Sequence, residues 1–157
     1  MINARAETVQ EKSSFHNAFK SRRCVVAMDA FYEWSGPKSD RIPHEISRVD
    51  GRFLAMAGPQ EVWKAKDGSE TVTFYTIVIL EPNAFMVNIQ DRMLVILEHE
   101  NYDCWLSGIL EEAATLMHPA PEDILQERLV NKALNNGRNE GNWLLNADAI
   151  STAQHRR

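Results

Sequence analysis

Two cysteines in 157 residues, Cys24 and Cys104, are too few for a disulfide framework, and neither belongs to a Cys-x-x-Cys pair. Reduced thiols of this kind fit a cytosolic chain. No apolar run approaches the roughly 20 residues that a helix needs to cross a bilayer, so no membrane partner is expected. The opening residues, Met1-Ile2-Asn3-Ala4-Arg5-Ala6-Glu7, lack the apolar core of a secretory signal. The expected address is the cytoplasm, at the nucleoid in a bacterium. Basic residues are not in excess either. The net charge is −5, which argues against a non-specific duplex binder while leaving room for a local basic groove. His16, His44, His99, His118 and His155 are scattered without metal-ligand spacing, so neither metal nor cofactor is expected. No phosphate loop, Ser-His-Asp order, internal repeat or dividing linker is visible.

What is present is an ordinary globular composition, 44% apolar and 25% charged. It predicts one domain over residues 1–150 and a frayed tail over 151–157. The first stretch reads as helix, with Thr8 and Glu11 as a possible capping box and Ser14 capping residues 15–20. Residues 22–34, rich in β-branched and aromatic side chains, read as one buried strand. Strands are expected near 44–49 and 53–57, joined by a hairpin turn at Asp50-Gly51, and again over 71–80 and 93–97. Pro82 opens a short helix to about residue 88. An amphipathic helix over 101–107 is closed by Gly108, and a second helical stretch covers 110–117. Residues 122–130 suit helix or strand. Many short strands with short helices between them define an α+β class.

Three short clusters carry chemistry. Glu33 stands in Phe31-Tyr32-Glu33-Trp34, and a carboxylate among aromatics is costly unless paired or shifted in pKa. Taken alone, it reads more readily as a solvent-facing edge residue. Asn3-Ala4-Arg5-Ala6-Glu7-Thr8 alone reads as a helix entry. Within Ile89-Gln90-Asp91-Arg92-Met93, Arg92 alone reads as a surface or ion-paired arginine.

Their order changes the weighing. Asn-Ala-Arg-Ala-Glu-Thr at 3–8, Arg-Arg-Cys…Phe-Tyr-Glu-Trp at 22–34, and Gln-Asp-Arg-Met at 90–93 follow one another with Asp-Cys-Trp-Leu at 103–106 behind them. The chain resembles the SOS response-associated peptidase (SRAP) family along most of its length. That family reads approximately Asn-Ala-Arg-x-Glu-Thr, Arg-Arg-Cys-x-x-Pro-x-x-Gly-Phe-Tyr-Glu-Trp and His-x-Arg-Met-Pro. The resemblance implies twisted, barrel-like antiparallel β-structure with peripheral short helices around a DNA-binding cleft. It also implies a partner, single-stranded DNA with an abasic site. In the family an N-terminal cysteine condenses with the aldehyde of that site: the amine forms an imine and the thiol closes a thiazolidine. Carried over by position, the site residues are Asn3, Glu33 and Gln90, with Arg5 and Arg92 on phosphates. With the family in view Glu33 is favoured as a site residue: buried, bonded to Asn3 or a site arginine, and sharing one cleft with Asn3 and Gln90.

The departures imply impaired chemistry. Position 2 is Ile2, without a thiol, so the chain reads as a member lacking the family's N-terminal segment and nucleophile. Gln90 stands where the motif has histidine, and an amide can hydrogen-bond but has no pKa near neutrality with which to move a proton. Leu94 replaces the motif proline, and Ala27 and Ala30 replace proline and glycine before Glu33. Cys24 and Cys104 are expected to pack rather than react. A non-catalytic single-stranded DNA-binding remnant, or a non-functional fragment, is the alternative.

Overall fold

The structure is a computed structural model, and it describes residues 3–147. The expectation for 151–157 and the readings of Met1 and Ile2 lie outside the described residues. Among the described residues, nine strands are distributed over three sheets of three strands each. The first contains β1 (Asn3–Arg5), β7 (Ile77–Leu80) and β8 (Met93–Leu94). The second contains β2 (Arg23–Met28), β5 (Leu54–Lys64) and β6 (Thr71–Tyr75). The third contains β3 (Ala30–Ser35), β4 (Ile42–Arg48) and β9 (Leu125–Leu129). Three helices, α1 (Ser13–Ser21), α2 (Tyr102–Ser107) and α3 (Leu110–Thr115), pack around them. The α+β class holds. No helix among the described residues is long and apolar enough to cross a membrane.

The β-structure is neither wholly antiparallel nor closed into a barrel. β1 pairs with β7 in parallel, Asn3 opposite Ile77, and more than 70 residues connect them, ample for the crossover that parallel strands need. The first two sheets are stitched rather than merged. Val95 N–H donates to the Val78 carbonyl, and Ala57 N–H to Val95, each at 2.9 Å. The third sheet shares no strand with the other two.

Several local expectations are corrected by this arrangement. The stretch 22–34 is two strands, broken at Asp29, which lets the chain change sheets. The run 71–80 breaks likewise at Thr76, whose N–H is held by the Pro59 carbonyl at 2.9 Å. Asp50-Gly51 does turn the chain, with Gly51 at φ +73°, but β4 and β5 on either side do not pair. The opening stretch is strand then turn, not helix. The Thr8 hydroxyl is buried without a hydrogen-bond partner, so no capping box forms, and α1 starts after Lys12 with no side-chain cap. Residues 86–88 form only a 3-10 turn, and 125–129 is strand.

One core serves the first two sheets and the helices, centred on Phe19, Leu54, Met56, Val78, Met86, Met93, Val95 and Trp105, all at most 2% exposed. Trp105 packs edge-on to Phe19, centroids 5.6 Å apart, and its indole N–H donates to the Cys24 carbonyl at 2.9 Å. Arg23 ties α2 down by donating to the carbonyls of Trp105 and Gly108. The third sheet joins this core through Ile46, fully buried, with Phe31 packed beside it.

Candidate functional site

Alternation along the third sheet decides which side chains can meet. Glu33 of β3 is opposite His44 of β4, and His44 is opposite Leu129 of β9. Directly opposed residues share a face, as do residues two apart on one strand. Glu33, Ser35, His44 and Glu127 therefore project from one side of the sheet. Tyr32, Glu45 and Arg128 project from the other, where Arg128 grips the buried Glu45 with bonds of 2.8 and 3.0 Å.

Glu33 is half-buried on the wall of an open cavity of about 360 Å³, lined also by Ser35, Gly36, Arg41, Ile89, Gln90 and Asp91. Gln90 enters from the turn after residues 86–88, its backbone N–H held by the Met86 carbonyl at 2.9 Å. Its amide Nε2 donates to Glu33 Oε2 at 3.1 Å. The amide is thereby oriented, with its Oε1 accepting from the Asp91 N–H at 3.0 Å. The partner of Glu33 is thus Gln90, not Asn3 or an arginine. A second cavity of about 420 Å³ shares Trp34 and Arg41 with the first and extends the groove toward Lys38 and Asn135.

Asn3 and Arg5 come from β1 of the first sheet, and Arg92 immediately precedes β8 of that sheet. Asn3 and Arg5 are on the exposed face of β1, either side of the buried Ala4. Neither Asn3 nor the two arginines line the cavity with Glu33 and Gln90. Arg92, two residues beyond Gln90, donates to Glu7 Oε1 at 2.6 Å. The Glu7 carboxyl is held below its ordinary value, first by its own backbone N–H, against the opposing effect of burial, and further by Arg92 and the charge of Arg5. Arg5, Glu7 and Arg92 are therefore one charged cluster, in which a phosphate would compete with Glu7 for Arg92.

Cys24 is the second residue of β2, and burial pushes its thiol pKa up, the wrong direction for a nucleophile. Among the described residues no group of three or more histidine, cysteine or acidic side chains could hold a metal ion.

The sequence reading passed over His44. It is 7% exposed, its Nε2 lies 2.6 Å from Ser35 Oγ, and its Nδ1 lies 2.6 Å from Glu127 Oε1. Ser35 shares the cavity wall with Glu33. The available signal was alternation: Ser35 follows Glu33 by two within a strand, and His44 follows a strand-breaking loop by three. Glu127 had no such signal, because its stretch read equally as helix.

A small mixed α+β domain has thus brought two segments 57 residues apart together at a carboxylate–amide pair beside a groove, with a basic cluster nearby. The family model for SOS response associated peptidase (SRAP) matches residues 1–137, and the chain belongs to that family. It is 37% identical over 152 residues to the abasic site processing protein YoaM of Bacillus subtilis, covering 94% of this chain and 66% of that protein. It is 33% identical to the abasic site processing protein HMCES of Xenopus tropicalis, covering 87% of this chain and 47% of that protein. Among solved structures, a protein from Bacteroides thetaiotaomicron superposes with a TM-score of 0.84 at 28% identity, covering 93% of this chain and 66% of that one. The chain therefore spans just under two thirds of YoaM and about half of HMCES.

Proposed function

We propose that this chain recognises abasic sites in single-stranded DNA in the cytoplasm, with the covalent chemistry of its relatives curtailed at Gln90. The observation that carries the reading is the Gln90–Glu33 hydrogen bond, 3.1 Å, at the wall of the groove. It joins two of the motifs that carry the family resemblance, 57 residues apart in the chain. Glu33 supplies a carboxylate that can orient a sugar hydroxyl or accept a proton. Gln90 supplies an amide that holds Glu33 in place but cannot relay a proton. The names of the relatives agree with this substrate, and Arg5 and Arg92 provide the local positive charge that a net acidic protein needs to meet a phosphate backbone.

The test is a binding titration of the 157-residue chain with a short single-stranded oligonucleotide, with and without one abasic site, followed by fluorescence anisotropy. Expected is tighter binding to the abasic strand, weakening as salt rises because phosphate contacts release counterions. Arg5→Ala and Arg92→Ala should each lower the salt slope by about one phosphate contact. The bound complex should dissolve on heating in a denaturing gel, since position 2 of this chain is Ile2, without a thiol, and Gln90 moves no proton. Equal affinity for both strands overturns the substrate assignment. A heat-stable adduct overturns the curtailed chemistry.

A further inference from the structure

The chain Ser35–His44–Glu127 is a second chemical arrangement on the same groove, and it does not depend on the abasic-site reading. Glu127, when ionised, has only acceptors, so the ring nitrogen facing it at 2.6 Å, His44 Nδ1, carries the proton. That leaves His44 Nε2 with its lone pair. In the neutral ring Ser35 Oγ, 2.6 Å away, donates its own proton to it. A buried histidine bonded at both nitrogens is common in protein cores. Here one of the two partners is a hydroxyl on the wall of an open cavity, and the other is a carboxylate whose side chain is still 34% exposed. The order hydroxyl, imidazole, carboxylate is that of an activated serine, reached on a three-stranded sheet rather than by any familiar sequence motif.

We infer that Ser35 is a nucleophile for acyl transfer, with His44 as its general base and Glu127 holding the imidazole, acting on carboxylic esters whose carbonyl carbon reaches Ser35 in the open cavity. Ser35 Oγ forms a bond to the ester carbonyl carbon while its proton passes to His44 Nε2. Arg41, which lines the same cavity, is an N–H donor available for the charge that develops on the carbonyl oxygen. The carbon–oxygen bond to the alcohol then breaks, and the leaving oxygen takes the proton from Nε2. Water repeats the sequence on the acyl-serine, giving its proton to His44 and releasing the carboxylic acid and free Ser35.

The experiment is labelling of the full chain with a fluorophosphonate probe, read by in-gel fluorescence and peptide mass, together with hydrolysis of p-nitrophenyl acetate. Expected is one label, on the peptide containing Ser35, its loss in Ser35→Ala, and turnover of the ester that falls about 100-fold or more in His44→Gln. Glu127→Gln, an isosteric change at a partly exposed position, guards against a His44 variant that does not fold. It should slow labelling at least about tenfold while melting within a few degrees of the parent. An unlabelled parent chain, a Ser35→Ala protein that still takes the probe, or a folded Glu127→Gln that labels at the parent rate each overturns the assignment.

Discussion

Gly58→Ala is a substitution whose cost can be worked from the backbone alone. Gly58 lies on β5 opposite Cys24 of β2, and a Cβ at this position would stand 2.3 Å from the carbonyl oxygen of Thr76 and 3.3 Å from its carbonyl carbon. The first distance is about 1 Å inside ordinary carbon–oxygen contact. The obstacle is main chain, and it belongs to Thr76, a residue 2% exposed whose N–H is already committed to the Pro59 carbonyl at 2.9 Å. No flexible side chain can swing away. Overpacking typically costs about 1–3 kcal/mol, and a rigid obstacle puts this case in the upper half, about 2–3 kcal/mol. For a domain of this size each kcal/mol moves the melting temperature by about 2–4 °C, so the expected loss is about 4–12 °C. Differential scanning calorimetry of the parent and variant measures it. Gly137→Ala is the control: nothing lies within 4 Å of its would-be Cβ, so a change within about 0.5 kcal/mol is expected. If both variants melt together, the close approach of β5 to the β6–β7 junction is not the constraint described.

Two further outcomes test the electrostatics. Burial raises the Cys24 thiol pKa, so iodoacetamide should modify Cys24 more slowly than a free thiol at neutral pH and faster as pH rises; reaction at the free-thiol rate near pH 7 contradicts the burial. The Asp50 carboxyl is held far below the usual range, first by the guanidinium of the buried Arg48, then by the backbone N–H and side chain of Arg52. Its folded value lies below its unfolded one, so its stabilisation is complete above about pH 4 and is lost as pH falls from there toward the folded value. Acid melts should show the stability difference between parent and Asp50→Asn shrinking as pH drops from about 5 to about 2, and a constant difference across that window refutes the pairing.

The parts of the site that lie within short motifs were legible in the sequence; those that depend on strand register were not. Glu33 and Gln90 could be nominated because each belongs to a recognisable run, and the structure bonds them to each other. Asn3 was nominated on the same grounds, yet it stands on β1 in a different sheet from Glu33. Ser35, His44 and Glu127 come from three strands, and nothing local to any one of them announces the other two. Sheet changes were also invisible. A run such as 22–34 keeps its apolar, β-branched character on both sides of Asp29, so composition cannot reveal that one half joins β5 and the other β4. Asp50-Gly51 shows the same limit: turn chemistry marks where the chain reverses, but hydrogen bonding elsewhere decides whether the flanking strands pair.

The parallel pairing of β1 with β7 bears on the order in which the molecule comes together. Asn3 finds Ile77 only after another 74 residues of chain exist, which at about 5–20 residues per second is several seconds of synthesis. Glu33 waits 57 residues for Gln90, and His44 waits 83 for Glu127. Local reversals such as β5–β6 need no such delay. Long-range closure is the slow part of folding, so the groove and its charged rim are completed late, after the hairpins have formed. A nascent chain interrupted before residue 125 contains both Glu33 and Gln90 but lacks Glu127, the partner of His44.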